Sequence, residues 1–235
     1  MIEFTLDGRK MEAREGETIL GVARRMRIEI PTLCYHDEVS PFGACRLCVV
    51  EVKDGGKWQI LPSCQTPISK GMEVRTESDP VKESRRLAAE LLYYKFPGVP
   101  VVREIAGKLG VTIREEDKES NDCILCGLCV RACREVVGVA ALKFMDRGLG
   151  RENPEPQIGF DAEKCIGCGS CAYICPSGFV KMEAVDGKRI IWDKVFHMAS
   201  CKVCGRYFAP IEQLEFISRK TGVPIDNLMM CTSCR

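Results

Sequence analysis

Cysteine is the residue type whose number and spacing in this chain could do chemistry. The chain has 235 residues, 16 of them Cys, in four groups of four. Thiolates at short intervals are the ligands of iron–sulfur clusters and of structural zinc. In a reducing compartment such groups indicate metal sites rather than disulfides. We therefore expect most of the chemistry to depend on bound metal.

The clearest pattern is the spacing C-x2-C-x2-C-x3-C, which occurs twice. Three closely spaced thiolates can hold three corners of a cubic [4Fe–4S] cluster, and the displaced fourth thiolate completes the cluster of the other repeat. Gly127, Gly167 and Gly169 fit the tight turns that this requires. Structural zinc and disulfides are the alternatives, which the duplication disfavours. By this exchange one cluster is assigned to Cys123, Cys126, Cys129 and Cys175, and the second to Cys165, Cys168, Cys171 and Cys133.

The first group has a different spacing, C-x10-C-x2-C-x15-C. One of its cysteines follows a predicted helix, two enter a strand and one follows the returning strand. Four thiolates on such a loop suit a planar [2Fe–2S] cluster, with a zinc site as the alternative. His36 lies in the loop and is expected to hydrogen-bond or face solvent rather than bind iron. The four predicted ligands are Cys34, Cys45, Cys48 and Cys64.

The last group consists of two C-x2-C pairs separated by 26 residues. A C-x2-C-G turn is a metal knuckle whose backbone amides point at the thiolates, and two knuckles form a tetrahedral site. Structural Zn²⁺ is the first expectation, and a further iron–sulfur cluster is the alternative. The predicted metal ligands are Cys201, Cys204, Cys231 and Cys234.

The elements around the first group predict a β-grasp [2Fe–2S] ferredoxin-like domain over residues 1–78. A hairpin turns at Asp7-Gly8. An amphipathic helix follows over about 17–27, with Met26 among the residues of its apolar side. The strands are predicted at 2–6, 10–13, 46–53, 58–61 and 73–76.

Residues 79–119 predict a helical connector. Asp79-Pro80 is a helix-start signal with Asp79 as the N-cap. Residues 81–95 carry Leu87, Leu91 and Leu92 on one stripe, and a second short helix is predicted over 101–109. No His or Cys occurs between residues 65 and 122.

The remaining residues predict a two-[4Fe–4S] domain over 120–195 and a small zinc-ribbon-like module over 196–235. Between the repeats lie a strand at 141–144 and a loop at Pro154 and Pro156. A hairpin over 179–193 turns at Asp186-Gly187, and the module contains a helix at about 210–221. The predicted fold class of the whole chain is therefore α+β.

Composition and charge exclude several classes of function. Lys and Arg number 34 against 33 Asp and Glu, so the formal net charge of +1 gives no basic field for nucleic acid. No apolar run is long enough for a membrane span, and no export signal precedes the first strand, so we expect a cytoplasmic protein. No phosphate-binding loop, dinucleotide fingerprint or acid/base constellation is present. Electron transfer fits better than bond-making chemistry.

Two segments resemble known families. IPTLCYHDEVSPFGACRLCVVEV resembles the N-terminal segment of the large iron–sulfur subunit of NADH:quinone oxidoreductase and the diaphorase iron–sulfur subunit of NAD-linked hydrogenases. The repeats, with Pro176 after the last cysteine, resemble bacterial two-cluster ferredoxins. The tail is similar, more weakly, to extensions of iron–sulfur subunits in hydrogenases and formate-linked complexes.

The first family usually has one more cluster, bound by one His and three Cys, between these two domains. The connector of this chain lacks such ligands. Either its helices bring the flanking clusters close enough for direct electron transfer, or a partner protein bridges the gap.

The resemblance implies an electron-transfer subunit without an active site of its own. It would relay single electrons between a flavoprotein subunit that oxidises NAD(P)H and a hydrogenase module. A bifurcating scheme with soluble ferredoxin as another partner is compatible with it. The alternatives are the same role in an NAD-linked formate dehydrogenase and a free polyferredoxin that shuttles electrons between enzymes.

Overall fold

The structure, a computed structural model, describes residues 1–145 and 157–235. The chain divides into two compact units, Met1–Cys126 and Gly127–Arg235. The predicted loop at Pro154 and Pro156 lies outside the described residues. The α+β class is confirmed.

A five-stranded mixed sheet with one helix forms the centre of the first unit. The strand order is β2-β1-β5-β3-β4, in which β1 and β5 are parallel and the other neighbours are antiparallel. The predicted hairpin is confirmed, since Asp7 and Gly8 both have positive φ at its turn. The elements are β1 (Ile2–Leu6), β2 (Arg9–Ala13), α1 (Ile19–Arg25), β3 (Val49–Lys53), β4 (Gln59–Pro62) and β5 (Glu73–Arg75).

Helix α1 covers the sheet with its apolar face. Thr18 caps the helix by accepting the Gly21 N–H at 3.2 Å. The prediction for Met26 is wrong, because the helix ends one residue earlier and Met26 lies exposed at its C-cap. Strand β3 begins later than predicted, since Arg46 takes a left-handed conformation with φ of 58°.

Two helices, α2 (Asp79–Lys95) and α3 (Pro100–Lys108), form the connector. The N-cap of α2 is Ser78 rather than Asp79, because Ser78 is extended and Asp79 is already helical. The buried face of α2 is also not the predicted stripe, since Leu87 and Leu91 are exposed. The residues that pack instead are spaced four apart, which places them on one side of the helix: Val81, Arg85, Ala89 and Tyr93.

The connector packs against the loop that carries the first cysteine group. An apolar cluster, named the connector core here, joins residues of α2 and α3 to that loop and to Ile124. Since these side chains exclude water together, the connector belongs to the same compact unit as the sheet. Its buried members are Leu33, Leu47, Ala89, Tyr93, Phe96, Val99, Val102, Ala106 and Ile124.

Short helices and two sheets make up the second unit. Strands β6 and β7 form a hairpin, and β8 to β11 form an antiparallel sheet in the order β11-β10-β9-β8. The predicted strand after the first repeat, the hairpin at Asp186-Gly187 and the last long helix are confirmed. The elements are α4 (Leu128–Arg131), followed by a π-helical segment (Ala132–Val137), β6 (Leu142–Met145), β7 (Gln157–Phe160), α5 (Ser170–Tyr173), β8 (Met182–Val185), β9 (Lys188–Ile191), β10 (Lys194–Ser200), β11 (Tyr207–Pro210), α6 (Ile211–Thr221) and α7 (Ile225–Leu228).

Within the part of the chain that the structure describes, none of the helices has the length and apolarity needed to span a bilayer.

Candidate iron–sulfur and metal centres

The first cysteine group meets where the loop enters β3. The Sγ atoms of Cys48 and Cys64 lie 3.4 Å apart, and the Cys45 backbone N–H donates to Cys34 Sγ at 3.4 Å. Three of these cysteines are buried and Cys45 is half-buried. All four are free thiols, as are the other twelve cysteines. The structure therefore brings the predicted [2Fe–2S] ligands together without disulfides.

The electrostatics of this group favour a bound cation. A hydrogen bond from Cys64 lowers the pKa of Cys48 to about 6. The pKa values of Cys64 and Cys45 are raised, first by their hydrogen bonds to Cys48 and Cys34 and then by burial. Cysteines bind metal as thiolates, so a bound metal cation takes the place of the protons that these thiols share. The four sulfurs fit an iron–sulfur cluster, which supplies one-electron redox chemistry when bound.

Side chains from other elements fix the backbone around Cys48. The hydroxyl of Ser63 donates to the Cys48 carbonyl at 2.7 Å, and Arg85 Nε donates to the Val49 carbonyl at 3.1 Å. Both side chains are buried. His36 is exposed, and its Nδ1 accepts the Glu38 N–H at 3.2 Å, as expected for a residue that does not bind iron. Sequence reasoning missed Arg85, because no local pattern places it beside a cysteine group.

In the second unit, one cysteine of the first repeat meets three of the second. Cys133, Cys165, Cys168 and Cys171 line one small cavity. Cys133 Sγ accepts the Ala141 N–H at 3.2 Å. Burial raises the pKa of Cys133, of Cys165 and, to about 11, of Cys171. This is the grouping that the predicted exchange requires, and four thiols around one cavity are a donor set that suits a thiolate-bound cluster.

Trp192 adds a polar group to the same cavity. Its ring stacks on Phe160 with the centroids 5.8 Å apart. Its indole Nε1 is also buried. It interacts with the Cys171 thiol and opposes the effect of burial on the pKa of that thiol. A buried N–H donor beside a ligand suits an anionic cluster, since such donors tune cluster potentials.

The other predicted [4Fe–4S] group is divided between the two units, so its grouping stays a prediction. In the first unit, Cys126 packs against the connector core. In the second, Cys129 is buried in α4, and Cys175 Sγ lies 3.6 Å from Ser177 Oγ. The two repeats share one local feature, a left-handed glycine before a short helix, at Gly127 and Gly169.

The last cysteine group forms a compact four-thiol site. The Sγ atoms of Cys201, Cys204, Cys231 and Cys234 all lie within 4.8 Å of one another. The sulfurs of Cys204 and Cys231 are 3.8 Å apart. Hydrogen bonds from the backbone, first that from Cys231, lower the pKa of Cys201 to about 6. Bonds of about 2.3 Å to one tetrahedral ion place sulfurs roughly 3.8 Å apart. The site fits a single metal ion.

Comparison with known proteins agrees with these sites. Residues 1–79 match the family described as a 2Fe-2S iron-sulfur cluster binding domain, and residues 122–179 match the 4Fe-4S dicluster domain. The chain is thus an iron–sulfur protein of the class that joins these two domains. It is homologous to the N-terminal part of the large iron–sulfur subunit of NADH-quinone oxidoreductase and to subunits of NAD(P)-linked hydrogenases, which confirms the resemblance found in the sequence.

Two curated relatives and one solved structure show the extent of the similarity. A NADH-quinone oxidoreductase subunit of Rhizobium meliloti (strain 1021) is 30% identical over 87% of this chain and 27% of the relative. NADPH-Fe(3+) oxidoreductase subunit alpha of Geobacter sulfurreducens (strain DL-1 / KN400) is 30% identical over 95% of this chain and 28% of the relative. A chain of the NAD+-reducing [NiFe]-hydrogenase crystal structure in the H2-reduced state is 31% identical, with a TM-score of 0.52, over 63% of this chain and 71% of that chain. The chain therefore spans about a quarter of the length of these curated relatives.

Proposed function

We propose that this chain is a non-catalytic electron-transfer subunit of a multisubunit NAD(P)-linked oxidoreductase, with no active site of its own. The observation that carries the proposal is the gathering of free thiols into separate groups, two of which lie in domains that match known cluster-binding families. Separate one-electron centres on one chain suit relay of single electrons. Because the thiols are free, a reducing compartment fits, and we place the protein in the cytoplasm.

A hydrogenase is the proposed catalytic partner. The chain would receive electrons from a flavoprotein subunit that oxidises NAD(P)H and pass them to a hydrogenase module, or carry them in the reverse direction. The similarity to an NAD+-reducing [NiFe]-hydrogenase chain over 71% of that chain supports this choice. Soluble ferredoxin is a compatible further partner.

Direct transfer across the connector is the proposed route between the first two centres. Cys45 of the first group and Cys126 of the first repeat both pack against the connector core. One apolar cluster thus touches a predicted ligand of each centre. This favours direct transfer over a bridging partner protein.

Structural Zn²⁺ is the proposed ion of the last cysteine group. In a cluster the thiolates bind different irons, so four sulfurs within 4.8 Å suit a single ion better. The knuckle amides that lower the pKa of Cys201 stabilise the thiolate form that zinc requires.

Anaerobic affinity purification of the tagged chain from its native host tests the proposed role, with mass spectrometry of the proteins that remain bound at moderate salt. We expect a flavoprotein and a nickel–iron subunit in stoichiometric amounts. A molybdenum or tungsten subunit would instead indicate a formate dehydrogenase. A pure monomer that reduces several unrelated acceptors would contradict the subunit role and indicate a polyferredoxin.

A further inference from the structure

Arg85 is a buried cation next to the first cysteine group. Only 3% of its side chain is exposed. Its Nε donates to the carbonyl of Val49, the residue after Cys48, at 3.1 Å. Its Nη1 forms an ion pair with Glu77 at 3.0 Å. The guanidinium is therefore held at one position, in contact with the backbone next to the predicted ligand Cys48.

The surroundings of Arg85 do not neutralise it fully. Its Nη2 is buried and has no hydrogen-bond partner among the residues that the structure describes. Glu77 is 60% exposed, so solvent screens its charge. The other negative groups that act on Arg85 are Asp7 and the Cys48 thiolate. Because a guanidinium stays protonated in proteins, Arg85 remains a fixed positive charge even though burial lowers its pKa.

We propose that Arg85 raises the reduction potential of the centre held by Cys34, Cys45, Cys48 and Cys64. Reduction adds negative charge to the centre, and a nearby cation that water does not screen stabilises the reduced form. Burying a charge is costly, so a position that needed only packing would favour an apolar side chain. The inference depends on the proposed [2Fe–2S] assignment and adds to it a residue outside the cysteine motif.

A matched set of substitutions in the full chain tests this role. Arg85→Met removes the charge and keeps most of the volume, whereas Arg85→Lys keeps the charge. Arg86→Met is the control, because Arg86 is the adjacent residue, is 40% exposed and pairs with Glu83 and Glu90. The measurement is the midpoint potential of the [2Fe–2S] signal in a redox titration followed by electron paramagnetic resonance.

We expect Arg85→Met to lower the equilibrium constant for one-electron reduction of the centre about tenfold. This corresponds to a midpoint potential about 59 mV lower. Arg85→Lys should keep most of the wild-type potential, and Arg86→Met should leave it unchanged. Equal potentials in Arg85→Met and Arg86→Met, with the signal intact, would overturn the inference. Absence of a [2Fe–2S] signal from the wild-type chain would instead overturn the cluster assignment.

Glu77→Gln provides a second test that does not remove a buried side chain. It leaves Arg85 without its nearest carboxylate, so the midpoint potential of the [2Fe–2S] centre should rise. Because the ion pair is partly exposed, we expect the equilibrium constant for reduction to increase about threefold. If Arg85→Met fails to fold, Arg85→Gln, which also removes the charge, takes its place in the comparison with Arg86→Met. An unchanged or lower potential in Glu77→Gln would contradict the proposal.

Discussion

At the scale of the residue, Gly167 shows how tightly the second repeat is packed. Its φ is +67°, and a Cβ at this position would lie 2.6 Å from the Phe196 ring. Phe196 is completely buried, so its ring has no room to move away. A glycine between Cys165 and Cys168 is therefore required both by the backbone conformation and by a packed ring.

Gly167→Ala should destabilise the second unit by about 2–4 kcal/mol, from left-handed strain together with overpacking. Gly222→Ala is the matched control, because Gly222 also has positive φ but no atom within 4 Å of its added Cβ. That control should cost only about 1 kcal/mol. Denaturant unfolding of the two variants makes the comparison, and equal costs would show that the Phe196 contact is unimportant.

Cys204→Ser should remove one metal ion per chain and leave the iron content unchanged. The reason is that the four sulfurs of this site lie close enough for one ion, and loss of a ligand weakens tetrahedral binding. Val203→Ala, in the same knuckle, is the control and should keep the metal. Elemental analysis measures both, and loss of several irons from Cys204→Ser would favour a fourth cluster.

The cysteine groups could be recognised in the sequence because their members follow short, regular spacings. Arg85 and Trp192 could not be, because their roles depend on distant neighbours. Arg85 meets Val49 across 36 positions of the chain. The indole of Trp192 meets Cys171 only after β9 folds back over the second repeat. Residues that contact a site from outside its motif leave no short pattern.

At the scale of the element, α2 shows why an apolar stripe is an incomplete guide to a buried face. The leucine stripe predicts the buried face of the helix, but Leu91 is 63% exposed. The buried row contains Arg85, whose charge interrupts the apolar pattern. Its hydrogen bonds to Val49 and Glu77 offset the cost of burying the charge. Sequence periodicity does not reveal these hydrogen bonds.

Val102→Ala in α3 should lower the free energy of unfolding by about 2 kcal/mol. Val102 is fully buried in the connector core, so the change loses apolar burial and leaves a cavity. Leu91→Ala, on the exposed face of α2, should change it by no more than about 0.5 kcal/mol. Denaturant unfolding monitored by circular dichroism compares the variants, and a larger cost for Leu91→Ala would argue that the exposed leucines are packed.

At the scale of the whole molecule, the sequence pattern predicts the separate modules better than it predicts how neighbouring modules pack together. The connector reads as a separate segment, yet Leu33 and Leu47 pack it into the first unit. Strand β10 (Lys194–Ser200) likewise continues the sheet of the hairpin past residue 195. Such joins depend on apolar contacts between distant segments. The domain boundaries at 78, 119 and 195 therefore stay predictions.

The intact chain should contain about ten irons and one zinc, the sum of one [2Fe–2S] cluster, two [4Fe–4S] clusters and one structural ion. Elemental analysis of anaerobically purified protein, normalised by amino-acid analysis, checks this count. About twelve to fourteen irons without zinc would mean that the last cysteine group holds a further cluster.

The meeting of Cys133 with the second repeat sets the order of events at the ribosome. Cys133 emerges well before Cys165, Cys168 and Cys171, the residues with which it lines one cavity. A nascent chain that has only the first repeat cannot assemble this set of four thiols. With the proposed ligand assignment, cofactor insertion there follows the synthesis and folding of the second repeat. A chain truncated before Cys165 would carry Cys133 as a thiol without its three partners.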